Sequence, residues 1–361
     1  MDGKKVALMI SSLNGGGAEK VCLTLAQALQ QLGVHVDLIL KNKCSYELSD
    51  IADDVSVHFI FDNPRIKLYR HESQVHAANA IRKIAKAAGG FDLILANLED
   101  SYPIAERAGL PNTHYVIHNA VEAVLKRTFR LGPIKYWRKL KSYRALNGKN
   151  TVAVSQGLAD EVRTTKRFKA KSVVAIHNPV PVDEIRTLAA VPFNAPPWPY
   201  VIHVGRFAAQ KRHDVLFEAF KLLEPDLHLV LLCPHSTKLK RAIARAGLTD
   251  RVHVQGFQQN PYPWIKNARA LALSSDFEGL AIVLLEALAC GTPVASTDCP
   301  HGPSEILVGE LARFLSPVGN ASALADALIG AMQNTSVFLE PDVLSGFSLE
   351  RCVGQYLALA Q

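Results

Sequence analysis

Short runs of consecutive apolar residues alternate along the chain with stretches whose apolar positions recur at helical spacing. "KKVALMI" reads as a buried strand and "SSLNGGG" as a glycine loop. Ala18 to Leu32 then carries Val21, Cys22, Leu25, Ala28, Leu29 and Leu32 at i, i+3, i+4 and i+7, which predicts a helix closed by Gly33. "VHVDLIL", "FDLILAN", "THYVIHN" and "NTVAVS" predict further strands. The scheme restarts at residue 200. "YVIHVGR" runs as a strand into a loop, "HDVLFEAFKLL" is a helix, and "LHLVLLC", "RVHVQGF", "ARALALS" and "TPVAST" are strands. Strands alternating with helices predict parallel sheets, here two separate doubly wound ones.

Between the halves lies "NPVPVDEIRTLAAVPFNAPPWP", residues 178–199, with six prolines. Proline at that density denies both a helix and a sheet ladder, so the segment is expected to be a linker or hinge. A length of 361 residues suits two domains of about 150–180 residues each. The expected division is therefore 1–180, a linker at 181–199, and 200–345. Two open α/β domains joined by a hinge are expected to face each other across a cleft, and ligands of such folds bind at the carboxyl ends of the strands.

Composition narrows the class. With 48% apolar and 20% charged residues the chain is globular. No apolar run reaches the roughly 18 residues of a membrane span. "VALMISSL" is followed by Asn14-Gly15-Gly16-Gly17 rather than a cleavage site, and so reads as a first strand, not a signal-peptide core. Cysteines 22, 44, 233, 290, 299 and 352 form no C-x-x-C pair. Reduced thiols, a cytoplasmic address, and neither structural zinc nor a disulfide frame follow as expectations. The net charge of +7 is concentrated: residues 121–150 hold nine Lys or Arg and one acid, Glu122. Phe129, Tyr136, Trp137, Leu140 and Tyr143 interleave with them. Such a stretch is either a solvated face or a surface for an anionic membrane or a phosphorylated substrate. Lys126, Arg127, Arg130, Lys135, Arg138 and Lys139 are its candidate contacts, and "NPRIKLYR" (63–70) with Arg82, Lys83 and Lys86 can contribute. One basic patch without a recognisable binding module argues against nucleic acid.

Gly15, Gly16 and Gly17 sit between strand and helix, where backbone N–H groups can approach an anion at a helix N-terminus. The spacing is not that of a dinucleotide fingerprint, and no phosphate-loop GK[ST] occurs. A tight turn is the alternative. Arg206 and Lys211 in "HVGRFAAQKRHD" flank the corresponding loop of the second half, a fork and a point charge suited to a diphosphate. In "SSDFEGLAIVLLEALACGTPVAST", Glu278 and Glu286 are separated by seven residues, with Glu278 at the mouth of a helix and Glu286 about eight residues in. If both were helical they would lie about 12 Å apart along the axis and about 80° around it. Glycosidase carboxylates stand roughly 5–9.5 Å apart, so a hydrolase dyad is not indicated. The spacing suits a grip on two ends of an extended ligand. Glu286, among Leu284, Leu285, Ala287 and Leu288, needs a partner, and a ribose would serve.

Together "GGGAEK", "HVGRFAAQK", the two-glutamate segment and "CPHGPSEIL" resemble the retaining glycosyltransferases of family 4, along the whole chain. The resemblance implies a GT-B-type α/β fold of two facing Rossmann-like domains, with the C-terminal helix 346–361 packing back on the first. It assigns Glu278 to hydroxyls of the transferred sugar, Glu286 to the nucleotide ribose, and Arg206 and Lys211 to the diphosphate. Amides of Gly16 and Gly17, and of Leu280, Ala281 and Ile282, would meet phosphate or sugar. Phe257 and Gly279 complete the donor-binding set, and His118 in "YVIHNA" would lie near the reacting sugar. Departures are Leu280-Ala281 after the first glutamate, Cys233-Pro234-His235-Ser236 in place of a glycine-rich turn, and Ala312.

The reaction so implied moves a hexose or N-acetylhexosamine from a nucleotide-sugar, a UDP-sugar, to a glycan of the bacterial surface, with retention. It needs no metal and no cofactor beyond the donor substrate. Developing charge on the departing diphosphate would be neutralised by Arg206, Lys211 and helix-terminal amides. Closure about the hinge would exclude water. The acceptor is expected to be anionic, a lipopolysaccharide core phosphate or a polyprenyl diphosphate, met at the cytoplasmic face of the inner membrane. Rival readings are a sugar-nucleotide epimerase or phosphorylase on the same plan, and a non-catalytic glycan-binding protein.

Overall fold

Apolar runs that are buried on both faces form the interior strands of two parallel sheets. The computed structural model describes residues 3–13, 16–42, 55–63, 65–339 and 342–360. Gly15 and Cys44 lie outside them. The chain divides into an N-terminal unit, Met1–Pro179 with Leu349–Gln361, and a C-terminal unit, Val180–Ser348.

The N-terminal unit contains β1 (Lys5–Ile10), β2 (His35–Asn42), β3 (Val55–Phe61), β4 (Leu93–Asn97), β5 (Thr113–Ile117), β6 (Asn150–Ala153) and β7 (Ser172–Ala175). They form one parallel sheet in the order β3-β2-β1-β4-β5-β6-β7. The chain reverses its winding direction between β1 and β4, so the loops after these strands diverge and leave a crevice. The first helix spans Gly17–Gln31, one residue earlier at each end than its apolar spacing suggests, and Val21, Leu25 and Leu29 face inward. The helix Leu349–Ala358 packs on it, with Cys352, Val353 and Tyr356 buried.

The C-terminal unit contains β8 (Tyr200–Val204), β9 (His228–Leu232), β10 (Val252–Val254), β11 (Ala270–Leu273), β12 (Val294–Thr297) and β13 (Leu315–Ser316). Their order, β10-β9-β8-β11-β12-β13, puts its reversal between β8 and β11. Leu216, Phe220, Leu229, Leu231, Leu324 and Leu328 make up the centre of one face of the core.

The proline-rich segment requires a correction. Val182–Ala189 is a helix within the C-terminal unit, with Ile185 and Ala189 buried. Pro181 precedes it and Pro192 follows it, so the prolines bound a proline-free stretch rather than forbid a helix. Among the described residues no helix is long and apolar enough to cross a membrane.

Candidate active site

The reversal between β8 and β11 brings the strand-end loops Gly205–Arg212 and Ser274–Glu278 together within the C-terminal unit. Four hydrogen bonds stitch them. Ser274 Oγ donates to Lys211 O at 2.7 Å and Asp276 N to Gln210 O at 2.8 Å. Gln210 Nε2 donates to Phe277 O at 2.7 Å, and Lys211 Nζ to Glu278 Oε1 at 2.8 Å. The stitching fixes a cation and a carboxylate of these loops against each other, with side chains 20% and 10% exposed. Glu278 is 7% exposed, and its N–H donates to Pro300 O.

Arg212 braces the same junction. It adopts φ 44°, a left-handed conformation costly for a residue with a Cβ. Its guanidinium is bonded to Asp214 and, at 2.8 Å, to Asp276, two residues before Glu278. Behind Lys211 lie His203 and His213, buried with ring centroids 4.7 Å apart. Burial, reinforced for His213 by Lys211, lowers its pKa to about 4, and burial likewise holds His203 well below the usual imidazole range. Both rings are therefore neutral at pH 7 and add no positive charge beside Lys211. Arg206 is exposed and forms no ion pair among the described residues.

The helix after Glu278 spans Ile282–Ala289, so Glu278 is four residues ahead of it and Glu286 is its fifth residue. This corrects the estimate for two helical glutamates: only Glu286 is helical. Glu286 is 7% exposed and accepts a 3.2 Å hydrogen bond from the Tyr262 hydroxyl. Burial and the adjacent Glu286 raise the Tyr262 pKa, keeping the phenol a donor. The partner demanded by Glu286 is thus supplied in part by the protein. Of the amides expected to meet a ligand, that of Ile282 is bonded to Leu280 O at 2.9 Å. The Leu280–Ala281 turn is overlaid by Gly302, φ +100°, where a Cβ would fall 2.9 Å from Ala281 N. Phe257, 61% exposed, stands in the loop after β10, and Gly279 is buried in the turn after Glu278. Ser236, one of the departures from a glycine-rich turn, accepts from Leu239 N and caps the next helix.

The N-terminal unit has its own strand-end cluster. His118 follows β5, and its Nε2 lies 2.8 Å from Asn97 Oδ1, at the end of β4. Asn97 Nδ2 donates to Leu95 O, which leaves Oδ1 as an acceptor and puts the imidazole proton on Nε2. Burial lowers the His118 pKa to about 4, against an opposing effect of Glu99. The ring is neutral at pH 7 and presents Nδ1 as an acceptor. The glycine loop differs from expectation. Gly16 N donates to Glu19 Oε2 at 2.7 Å and Ser12 Oγ to Glu19 Oε1 at 2.7 Å, so a buried carboxylate already holds the Gly16 amide. Gly17 opens the helix with its Cα exposed to open space.

The six basic candidates separate. Lys135, Arg138 and Lys139, on the helix Pro133–Arg144, line a cavity of about 1060 Å³ at the carboxyl ends of β1 to β4. Lys126, Arg127 and Arg130 are exposed on the preceding helix Val121–Arg130 and do not line it. Tyr262, Arg212, Asp276 and Asn97 escape a reading of the sequence, because each acts on a residue 21 or more positions away. Among the described residues no group of three or more His, Cys, Asp or Glu is placed to hold a metal ion.

Residues 15–184 match the family model described as Glycosyltransferase Family 4, and residues 190–340 match Glycosyl transferases group 1. The chain is 27% identical over 337 residues to N-acetylgalactosamine-N,N'-diacetylbacillosaminyl-diphospho-undecaprenol 4-alpha-N-acetylgalactosaminyltransferase of Campylobacter jejuni. That match spans 90% of this chain and 89% of the relative. It is 30% identical over 164 residues to lipopolysaccharide 1,6-galactosyltransferase of Salmonella typhimurium, 43% of this chain and 45% of that protein. Among solved structures, Anabaena HepE in complex with UDP-glucose is similar in fold, with a TM-score of 0.74 at 18% identity over 98% of each chain.

Proposed function

Because the chain belongs to the glycosyltransferases, with a Family 4 domain ahead of a group 1 domain, we propose that it transfers a hexose or N-acetylhexosamine from a UDP-sugar to a bacterial surface glycan, with retention. The observation that carries this reading is the Lys211–Glu278 pair at the winding reversal of the second sheet, with Glu286 following in the next helix. A sugar nucleotide needs cations for its diphosphate and acceptors for its sugar and ribose hydroxyls, and this corner offers both.

In the proposed reaction the bond from the anomeric carbon to the diphosphate oxygen breaks, and a bond from that carbon to an acceptor hydroxyl oxygen forms on the same face. The hydroxyl proton passes to the departing phosphate. Lys211, held by Glu278 and flanked by neutral His203 and His213, is assigned the charge developing on the diphosphate, with exposed Arg206 joining when donor arrives. Glu278 accepts from sugar hydroxyls, and Glu286 from the ribose, sharing its carboxylate with Tyr262. No metal enters the scheme. His118, neutral with Nδ1 as acceptor, is assigned to orient a hydroxyl rather than to donate a proton.

The named activities of the Campylobacter and Salmonella relatives support a surface-glycan acceptor, and the UDP-glucose bound by HepE supports the donor class. Peripheral attachment to the cytoplasmic face of the inner membrane is supported by exposed Phe129, Leu131, Ile134 and Trp137 among basic residues.

A thermal-shift panel of UDP, GDP and ADP on the wild type and Glu286→Ala tests the reading. A nucleotide at 100 times its dissociation constant stabilises by about 2.7 kcal/mol. We expect a shift with UDP that is reduced in the variant. No shift with any nucleotide would overturn the proposal, and turnover of UDP-sugar without acceptor would replace it with an epimerase.

A further inference from the structure

The cavity of the N-terminal unit is lined by seven Lys or Arg side chains and one carboxylate, Asp100. Lys135, Arg138, Lys139 and Lys141 come from the helix Pro133–Arg144, and Arg65 and Lys67 from the loop after β3. Lys139 has an ion pair, at 3.7 Å, with Glu99. Arg65, Lys67, Lys135, Arg138 and Lys141 have no carboxylate partner among the described residues. A solvated basic face keeps its cations apart on a convex surface. Here they converge on a concavity, where low-dielectric walls focus their field and their mutual repulsion is relieved by a bound anion. The Arg138 guanidinium is stacked 3.6 Å from the Tyr69 ring centroid. Stacking occupies its face and leaves the in-plane N–H fork available. Ser11 at the end of β1 also lines it, as do Ser12, Thr128 and Gln74, whose side chains donate to Glu19, Val124 O and Leu68 O.

We propose that this cavity is the binding site for the diphosphate of a lipid-linked acceptor. A carboxylate would engage one fork, whereas a diphosphate offers several acceptor oxygens and two or more charges to cations arriving from two chain segments. A volume of about 1060 Å³ exceeds the needs of an inorganic anion and leaves room for attached sugar. The helix that supplies four of the cations exposes Ile134 and Trp137, and the turn and helix before it expose Leu131 and Phe129, the side chains that a lipid surface would take. Naming the anion as part of an acceptor rests on the transferase reading; anion binding by the cavity does not.

The test is calorimetric titration of the full chain with inorganic pyrophosphate at low salt, followed by flotation with vesicles. Lys135→Ala/Arg138→Ala and, from the loop after β3, Lys67→Ala are expected to weaken pyrophosphate binding, the double variant at least tenfold. Lys126→Ala/Arg127→Ala removes the same charge outside the cavity and is expected to stay within about twofold, as is Lys211→Ala when the titration is run in saturating UDP, which fills the diphosphate site assigned to Lys211. Vesicles of neutral lipid carrying a polyprenyl diphosphate are expected to retain the wild type better than vesicles carrying equal charge as phosphatidylglycerol, and the cavity variants lose that difference. Equal weakening by the two double variants, or loss of binding through Lys211→Ala alone, overturns the proposal. So does equal retention by the two vesicle types. Since the nucleotide shift at Glu286 is read separately, failure of either result leaves the other standing.

Discussion

Replacing Lys211 with Met removes the ammonium 2.8 Å from Glu278 while keeping most of the side chain's volume. The side chains are 20% and 10% exposed, so the variant leaves a carboxylate largely cut off from water without its cation. Breaking a buried pair from one side costs about 3–5 kcal/mol. Partial access of water to the lysine end reduces that here, and we expect roughly 2–3 kcal/mol. Glu278→Gln leaves a neutral group facing Lys211 and should cost less, about 1 kcal/mol, as the loss of one charged hydrogen bond. The double variant has no orphaned charge, so its destabilisation should fall below the sum by at least about 1 kcal/mol. Urea unfolding followed by tryptophan emission in a Trp137→Phe background reads this directly. The remaining Trp198 and Trp264 both belong to the C-terminal unit, stacked at 4.3 Å on His253 and packed at 4.7 Å against Phe193. Single-variant costs that add within about 0.5 kcal/mol would show that Lys211 and Glu278 do not support each other, and the reasoning would fail.

Gly302→Ala places a Cβ 2.9 Å from Ala281 N in a backbone conformation of φ +100°, and should destabilise the C-terminal unit by about 1–3 kcal/mol from strain, with nucleotide binding weakened beside it. An unchanged urea midpoint would contradict this. Acid should destabilise the N-terminal unit through His118. In the unfolded chain its imidazole takes a proton near pH 6.5, whereas the buried ring does so only at about 4, so stability falls as pH drops from 6.5 to 4, by roughly 3 kcal/mol in all. The slope of urea midpoint against pH should flatten in His118→Gln, and an identical slope would assign the acid sensitivity elsewhere.

The strands of both sheets are legible because parallel strands buried on both faces are written as unbroken apolar runs. β3 and β13 are not. Ser56 and His58 interrupt β3, most of whose residues are only half-buried, and β13 consists of two residues. Proline density misleads over 178–199, because what decides a helix is the run between Pro181 and Pro192. Lys211, Glu278 and Glu286 can be picked out since strand-end position and residue type are both local. Tyr262 and Asn97 cannot, because folding alone brings them to Glu286 and His118. The Gly16–Glu19 contact had a visible sign, an acid three residues after a helix cap. It was obscured by the attraction of three successive glycines.

The return of Leu349–Ala358 to the first helix has a temporal consequence. Residues 180–348 form a contiguous unit that can complete itself as soon as it has been synthesised, whereas the N-terminal unit lacks one of its own helices until about 170 further residues have been added. At roughly 5–20 residues per second that interval is on the order of 10–30 s. During it the apolar surface around Cys22 and Leu25 waits for Cys352 and Tyr356, so the part of the molecule made first is finished last.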